Sequence, residues 1–214
     1  MFRVQTARTA SWPIVLTGGI SSLVLALGMT PTFASFTAAI GNSLNVAALG
    51  TLVMQESNAA GTVTCRSTDG GSVSVNTATC SSINKYGGDL GMSAGGSAVT
   101  VTYIKNIGTV DASIFALTPG ACVQTASGSA AGTATDLCSK ITVTITSGAA
   151  TIFSGTAAAL GSGGPIDLLA KTGIPKLSAG AQKDFTVTAT IDAAVGNPYQ
   201  GLRVSQPMTW AFSS

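Results

Sequence analysis

Four cysteines and no histidine set the chemistry open to this 214-residue chain. Without imidazole, Ser-His-Asp and Cys-His nucleophiles are excluded, as is every common catalytic zinc site that uses histidine. Glu56 is the sole glutamate, so a His-Glu-x-x-His helix cannot exist. Cys65, Cys80, Cys122 and Cys138 could pair in three ways. Cys65–Cys80 and Cys122–Cys138 are favoured because each pair brackets a Gly/Ser/Thr-rich excursion. A four-thiolate zinc site competes poorly, since no Cys-x2-Cys spacing is present. Thiols used this way fit an oxidising compartment.

Other chemistry is weaker. Gly161-Ser162-Gly163-Gly164 is followed by no Gly-Lys-Ser/Thr, so it reads as a loop and not a phosphate cradle. Asp184, Asp192 and Asn197 lack the Asp-x-Asp-x-Asp-Gly run of a calcium loop and read as solvated turn residues. A Ser-Lys dyad has no supporting motif. Lys105 and Asn106, beside Gly108, read as an exposed strand end entering a turn. The expectation is no catalytic residue, no metal and no cofactor.

The elements that position these residues are strands. Val99–Asn106 alternates, with Val99, Val101 and Tyr103 on one face and Thr100, Thr102 and Ile104 on the other. Ile107-Gly108-Thr109 makes a turn and Ala112–Leu117 returns. Lys140–Thr146 carries Ile141, Val143 and Ile145 on one face, and Ala150–Ser154 pairs with it. Phe185, Val187, Ala189 and Ile191 form a buried face, as do Leu202, Val204, Met208, Trp210 and Phe212 with Pro207 on an edge. Thr62–Cys65 and Ser72–Val75 suit a hairpin around Asp69-Gly70-Gly71, and Ile166–Leu169 suits a short strand. Eight to ten short strands without an amphipathic helix predict an all-β, antiparallel β-sandwich.

Ahead of it stands an export signal. Arg3 and Arg8 precede an uncharged apolar run from Pro13 to Met29, and Thr32-Phe33-Ala34 suits cleavage between Ala34 and Ser35. The expected division is a signal peptide at 1–34, or an uncleaved anchor helix, and one β-domain at 35–214. Cleavage would leave 180 of the 214 residues, with eight basic and eight acidic side chains. So few charges near neutrality argue against a nucleic-acid partner and favour self-association. Membrane attachment is expected only through an uncleaved signal. From Ser35, Phe36, Ala38 and Ile40 alternate ahead of Gly41-Asn42-Ser43, and an apolar run spans Val46–Met54. These are either the first two strands of the sandwich, or 35–40 is a detachable strand that pairs with another copy.

Three pieces of this sequence carry a resemblance. Ser35-Phe36-Thr37 leads to Asn45 and Ala48-Leu49-Gly50-Thr51-Leu52; Tyr103–Ala112 contains Lys105-Asn106-Ile107-Gly108-Thr109; Asn197-Pro198-Tyr199-Gln200-Gly201 precedes the last strand. In this order, after this signal, the chain resembles the TasA/camelysin family over about a third of its length. The resemblance implies a jelly roll, a dedicated signal peptidase as processing partner, and a secreted fibre or biofilm-matrix subunit polymerising head to tail by donor-strand exchange. It also implies a camelysin-like metallopeptidase activity, against which the missing histidine stands. A monomeric cell-surface binding module is the remaining alternative.

Overall fold

The structure is a computed structural model that describes residues 47–89 and 91–214. The signal segment, the cleavage pair Ala34 and Ser35, and the donor-strand residues Phe36, Ala38 and Ile40 lie outside the described residues. The compact unit described here runs from Ala48 to Ser214.

Among the described residues, eleven strands form antiparallel sheets, with two short α-helices between them. The larger sheet has six strands. Its order is β2 (Thr64–Arg66), β1 (Met54–Asn58), β3 (Ser97–Asn106), β9 (Gln182–Ile191), β6 (Ile141–Ser147) and β7 (Ala150–Thr156). Cross-strand register stacks apolar side chains on one face: Val143 opposes Ala189 and Ile145 opposes Val187. Val143, Ile145 and Val187, fully buried, contribute roughly 1.5–3 kcal/mol each through area removed from water. On β3 the core phase belongs to Thr102, Ile104 and Asn106, while Val99 on the opposite face is 63% exposed.

Against that face stand β4 (Ile114–Pro119), β11 (Met208–Ser213) and β8 (Ile166–Asp167), in the order β11-β4-β8. Phe115 of β4 meets Phe185 of β9 edge-on at 5.7 Å and Phe212 at 4.8 Å, so one aromatic cluster joins the two sheets. A two-stranded continuation pairs β10 (Leu202–Ser205) with β5 (Val123–Ala126). The expected single last strand is therefore two, broken at Gln206-Pro207. Pro207 offers no N–H, and the Gln206 amide bridges the break by donating to Gly120 O at 2.9 Å and Ala157 O at 3.0 Å.

Other sequence expectations are corrected. Residues 47–53 contain no strand, and β1 begins at Met54. β2 pairs with β1 and not with Ser72–Val75, which lies in a turn region. The chain after Gly108 does not return beside β3; β4 crosses to the facing sheet, with Ala112 paired to Leu177 on the way. Helix α1 (Ala157–Ser162) starts at Thr156, whose hydroxyl accepts from Ala159 N. Helix α2 (Leu168–Thr172) is capped by Asp167 and ends at Gly173 in the left-handed region, so the expected strand Ile166–Leu169 keeps only two strand residues. No helix among the described residues is long and apolar enough to cross a membrane.

Two clasps and a candidate docking groove

Two of the short sequence pieces meet in space. Thr51 O accepts from Thr109 N at 2.7 Å and from Val110 N at 3.2 Å, Val53 O accepts from Ile107 N at 2.9 Å, and Thr51 N donates to the Thr109 hydroxyl at 2.8 Å. The approach is so close that a Cβ on Gly108 would fall 2.2 Å from Thr51 O. Glycine is required there because backbone fills the space a side chain would take.

Asn106 anchors this clasp from inside. It is fully buried, contrary to the expected exposed turn entry. Its amide donates to Val110 O at 2.8 Å and Leu177 O at 3.2 Å, and its carbonyl accepts from Gly108 N at 3.0 Å. One side chain thereby supplies the hydrogen bonds that the turn after β3 cannot obtain from a neighbouring strand. Lys105 is half-buried, on the other face.

The third piece forms a second clasp. Pro198 O accepts from Ala134 N at 2.9 Å, Gln200 O accepts from Gly132 N at 2.7 Å, and the Tyr199 hydroxyl donates to Asp136 at 2.7 Å. That hydrogen bond to Asp136 is the leading cause that raises the Tyr199 pKa. Gly201, with φ +66°, lies where a Cβ would meet Ala130 O at 2.2 Å. The excursion held here is closed by a Cys122–Cys138 disulfide with Cα atoms 6.0 Å apart. The earlier excursion is closed by Cys65–Cys80, Cα atoms 5.7 Å apart, and no described cysteine is free.

A groove runs beside β10 and β11, the outermost strands of their sheets. Its first part, about 540 Å³, is bordered by Ile83, Met92, Leu137, Ile141, Leu202 and Val204 among others. Its second, about 580 Å³, is bordered by Leu52, Met54, Trp210 and Phe212 on the apolar side and by the segment Asn76–Cys80. The parts adjoin, because Cys80, Lys85, Pro207 and Met208 border both. The wall facing β10–β11 is thus the disulfide-tied stretch from Cys65 to Met92. Side chains tie it to the rest of the domain: Asn76 donates to Leu52 O at 2.7 Å, Ser67 accepts from Met54 N at 3.0 Å, the Thr100 hydroxyl donates to Asn84 O at 3.3 Å, and Tyr86 donates to the Gln206 carbonyl. Burial holds the Tyr86 hydroxyl far above its ordinary pKa, so it stays a neutral donor.

Lys85 meets Glu56 at 2.5 Å, with both side chains largely buried. Glu56 also accepts from the Thr102 hydroxyl at 2.9 Å, and Lys85 donates to Ile83 O at 3.2 Å. The Trp210 indole N–H is buried without a partner at the groove's other wall.

Sequence reading placed none of Glu56, Lys85, Thr102, Gln206 or Trp210 in a site. A usable signal existed for Thr102 and Asn106, which occupy the same strand phase as Ile104. No signal marked Glu56 with Lys85, which come together only through the fold. Among the described residues no group of three or more Cys, Asp or Glu is placed to hold a metal ion. Asp184, Asp192 and Asn197 are exposed. No protein-family model matches the chain, and no curated protein matches it. The described residues define an all-β domain with two backbone clasps, two disulfides and a groove along strands that, among the described residues, lie at the edges of their sheets.

Proposed function

We propose that this chain is a secreted structural subunit of extracellular fibres or cell-surface matrix, in which residues 35–40 of one copy dock against the β10–β11 edge of the next. The observation that carries the reading is the groove beside that edge. An edge strand presents unpaired N–H and C=O groups, and an extended segment satisfies them by strand addition. Phe36, Ala38 and Ile40 share one face of such a segment, and Leu202, Val204, Trp210 and Phe212 offer apolar contacts along the groove. The contact is head to tail, so it need not close on itself and yields filaments. In this reading the sheets form a jelly roll, and the Ala34–Ser35 cleavage frees the donor segment. The TasA/camelysin resemblance supports the same role, and the paired cysteines suit an oxidising exterior.

Electron microscopy and sedimentation of the cleaved protein test the reading. Phe36→Asp, and a chain starting at Gly41, are expected to keep the fold yet remain monomeric. Normal fibres from either would refute docking by 35–40. A wild-type protein that stays monomeric would favour a surface binding module instead.

A further inference from the structure

The chain's sole glutamate is buried. Glu56 lies on β1, opposite Cys65 of β2 and Ile104 of β3. Its partner, Lys85, comes from the disulfide-tied stretch between Cys65 and Met92. Lys85 Nζ and Glu56 Oε1 are 2.5 Å apart, and the two side chains are only 11% and 8% exposed. Thr102, fully buried, donates its hydroxyl to the same Oε1 at 2.9 Å, and Ile83 O accepts from Lys85 Nζ at 3.2 Å. An amine and a carboxyl group are thus held in contact, nearly dry, with a donor on the carboxyl oxygen. In water an amide hydrolyses largely because the acid and amine it releases become ionised and hydrated. Burial removes that advantage, since two dehydrated ions are costly to keep and a neutral amide is less so.

We propose that Lys85 and Glu56 condense to an intramolecular isopeptide bond, which ties the stretch from Cys65 to Met92 to the six-stranded sheet as the disulfides tie their own loops. The inference does not depend on the fibre reading. Fixed contact replaces an encounter between the two groups. One ammonium proton passes to Glu56 Oε2, and the freed Nζ electron pair adds to Cδ. Negative charge gathers on Oε1, where the Thr102 hydroxyl donates to it. The nitrogen then gives a second proton to Oε2, which leaves as water when its bond to Cδ breaks. One N–C bond forms, one C–O bond breaks, and no oxidant or activating group is consumed. Both residues border the second cavity, which gives the water a way out.

Mass spectrometry of the exported protein tests this. Denatured, the wild type should weigh one water less than its sequence with both disulfides closed. After reduction, so that Cys65–Cys80 no longer joins them, trypsin should leave Lys85 uncut and release the peptide ending at Arg66 bonded to the one that spans Lys85. Lys85→Arg keeps a cation beside Glu56 and should restore the full sequence mass, with folding checked by thermal melting. Thr102→Val should slow bond formation about tenfold or more in a refolding time course. An unchanged rate in that variant overturns the part assigned to Thr102. Folded wild type that keeps its full mass after days at neutral pH overturns the bond itself. So does a water lost equally from Lys85→Arg, because ring closure at Asp69-Gly70 leaves the same change in mass.

Discussion

Replacing Asn106 by alanine removes three hydrogen bonds at once, to Val110 O, Leu177 O and Gly108 N. Each buried polar group left alone costs about 1–3 kcal/mol. Leu177 O keeps Ala112 N as a partner at 2.9 Å, so its loss is at the low end. The expected total is about 3–4 kcal/mol, a large part of the 5–15 kcal/mol typical of a folded domain. For a domain of this size that corresponds to a fall in melting temperature of roughly 6–16 °C. Asn106→Asp sharpens the test. It keeps the acceptor for Gly108 N but turns a carboxylate toward two carbonyl oxygens, which raises its pKa in the folded state. The unfolded chain then ionises first as pH rises, so the variant loses stability between the ordinary carboxylate pKa and the raised folded value. It should melt lower at pH 7 than at pH 4, relative to wild type. Thermal denaturation followed by circular dichroism reads both. A cost below about 1 kcal/mol for Asn106→Ala, or an Asn106→Asp penalty indifferent to pH, would refute the argument that this side chain holds the clasp.

Removing either disulfide, as Cys65→Ser/Cys80→Ser or Cys122→Ser/Cys138→Ser, should cost about 3 kcal/mol by loop-closure entropy, the bridged cysteines being separated by 15 and 16 residues. Peptide mapping without reduction checks the pairing, and a Cys65–Cys122 crosslink would contradict it. Lys176 hydrogen-bonds Asp111 and, with the Ala179 N–H, holds its carboxyl below the usual range. A lowered folded pKa gives stability that is present above the unfolded value and is lost as pH falls through the folded one. Asp111→Asn should therefore flatten the acid limb of the melting profile, and an unchanged limb would show the pair to be idle. Casein exposed to the purified protein should remain intact with or without chelator, and EDTA-sensitive cleavage with stoichiometric zinc would reverse that expectation.

Strands with strict alternation were legible because burial is decided by phase alone. Ile141, Val143 and Ile145, like Phe185, Val187 and Ala189, lie buried as their period demands. Phase without a partner was less informative on β3, where both faces carry β-branched residues. The face bearing Asn106 is the buried one, since its amide satisfies carbonyls that valine could not. Two one-turn helices escaped notice because five or six residues cannot display a 3.6-residue period. The strand break at Gln206-Pro207 was half visible: proline marked an edge, but the amide bridge to Gly120 and Ala157 depends on residues far away in sequence. Glu56 and Lys85 were illegible for the same reason.

The pieces of sequence that carry the family resemblance and the residues that build the groove are nearly disjoint. Gly50-Thr51 with Asn106–Thr109, and Asn197–Gly201, form the clasps; of the described motif residues only Leu52 borders the groove. Motifs of this kind report backbone approaches that only glycine and asparagine tolerate, so they speak for how the chain folds. The groove draws on Lys85, Pro207, Met208 and Trp210, which no motif contains. Fold and docking are therefore separable physical claims about this chain. Asn106→Ala attacks a clasp and should lower melting temperature and assembly together, whereas Phe36→Asp leaves the clasps intact and should lower assembly alone. If Phe36→Asp destabilised the monomer as much as Asn106→Ala does, the segment 35–40 would belong to its own domain's core. The alternative reading of it as a first strand would then stand.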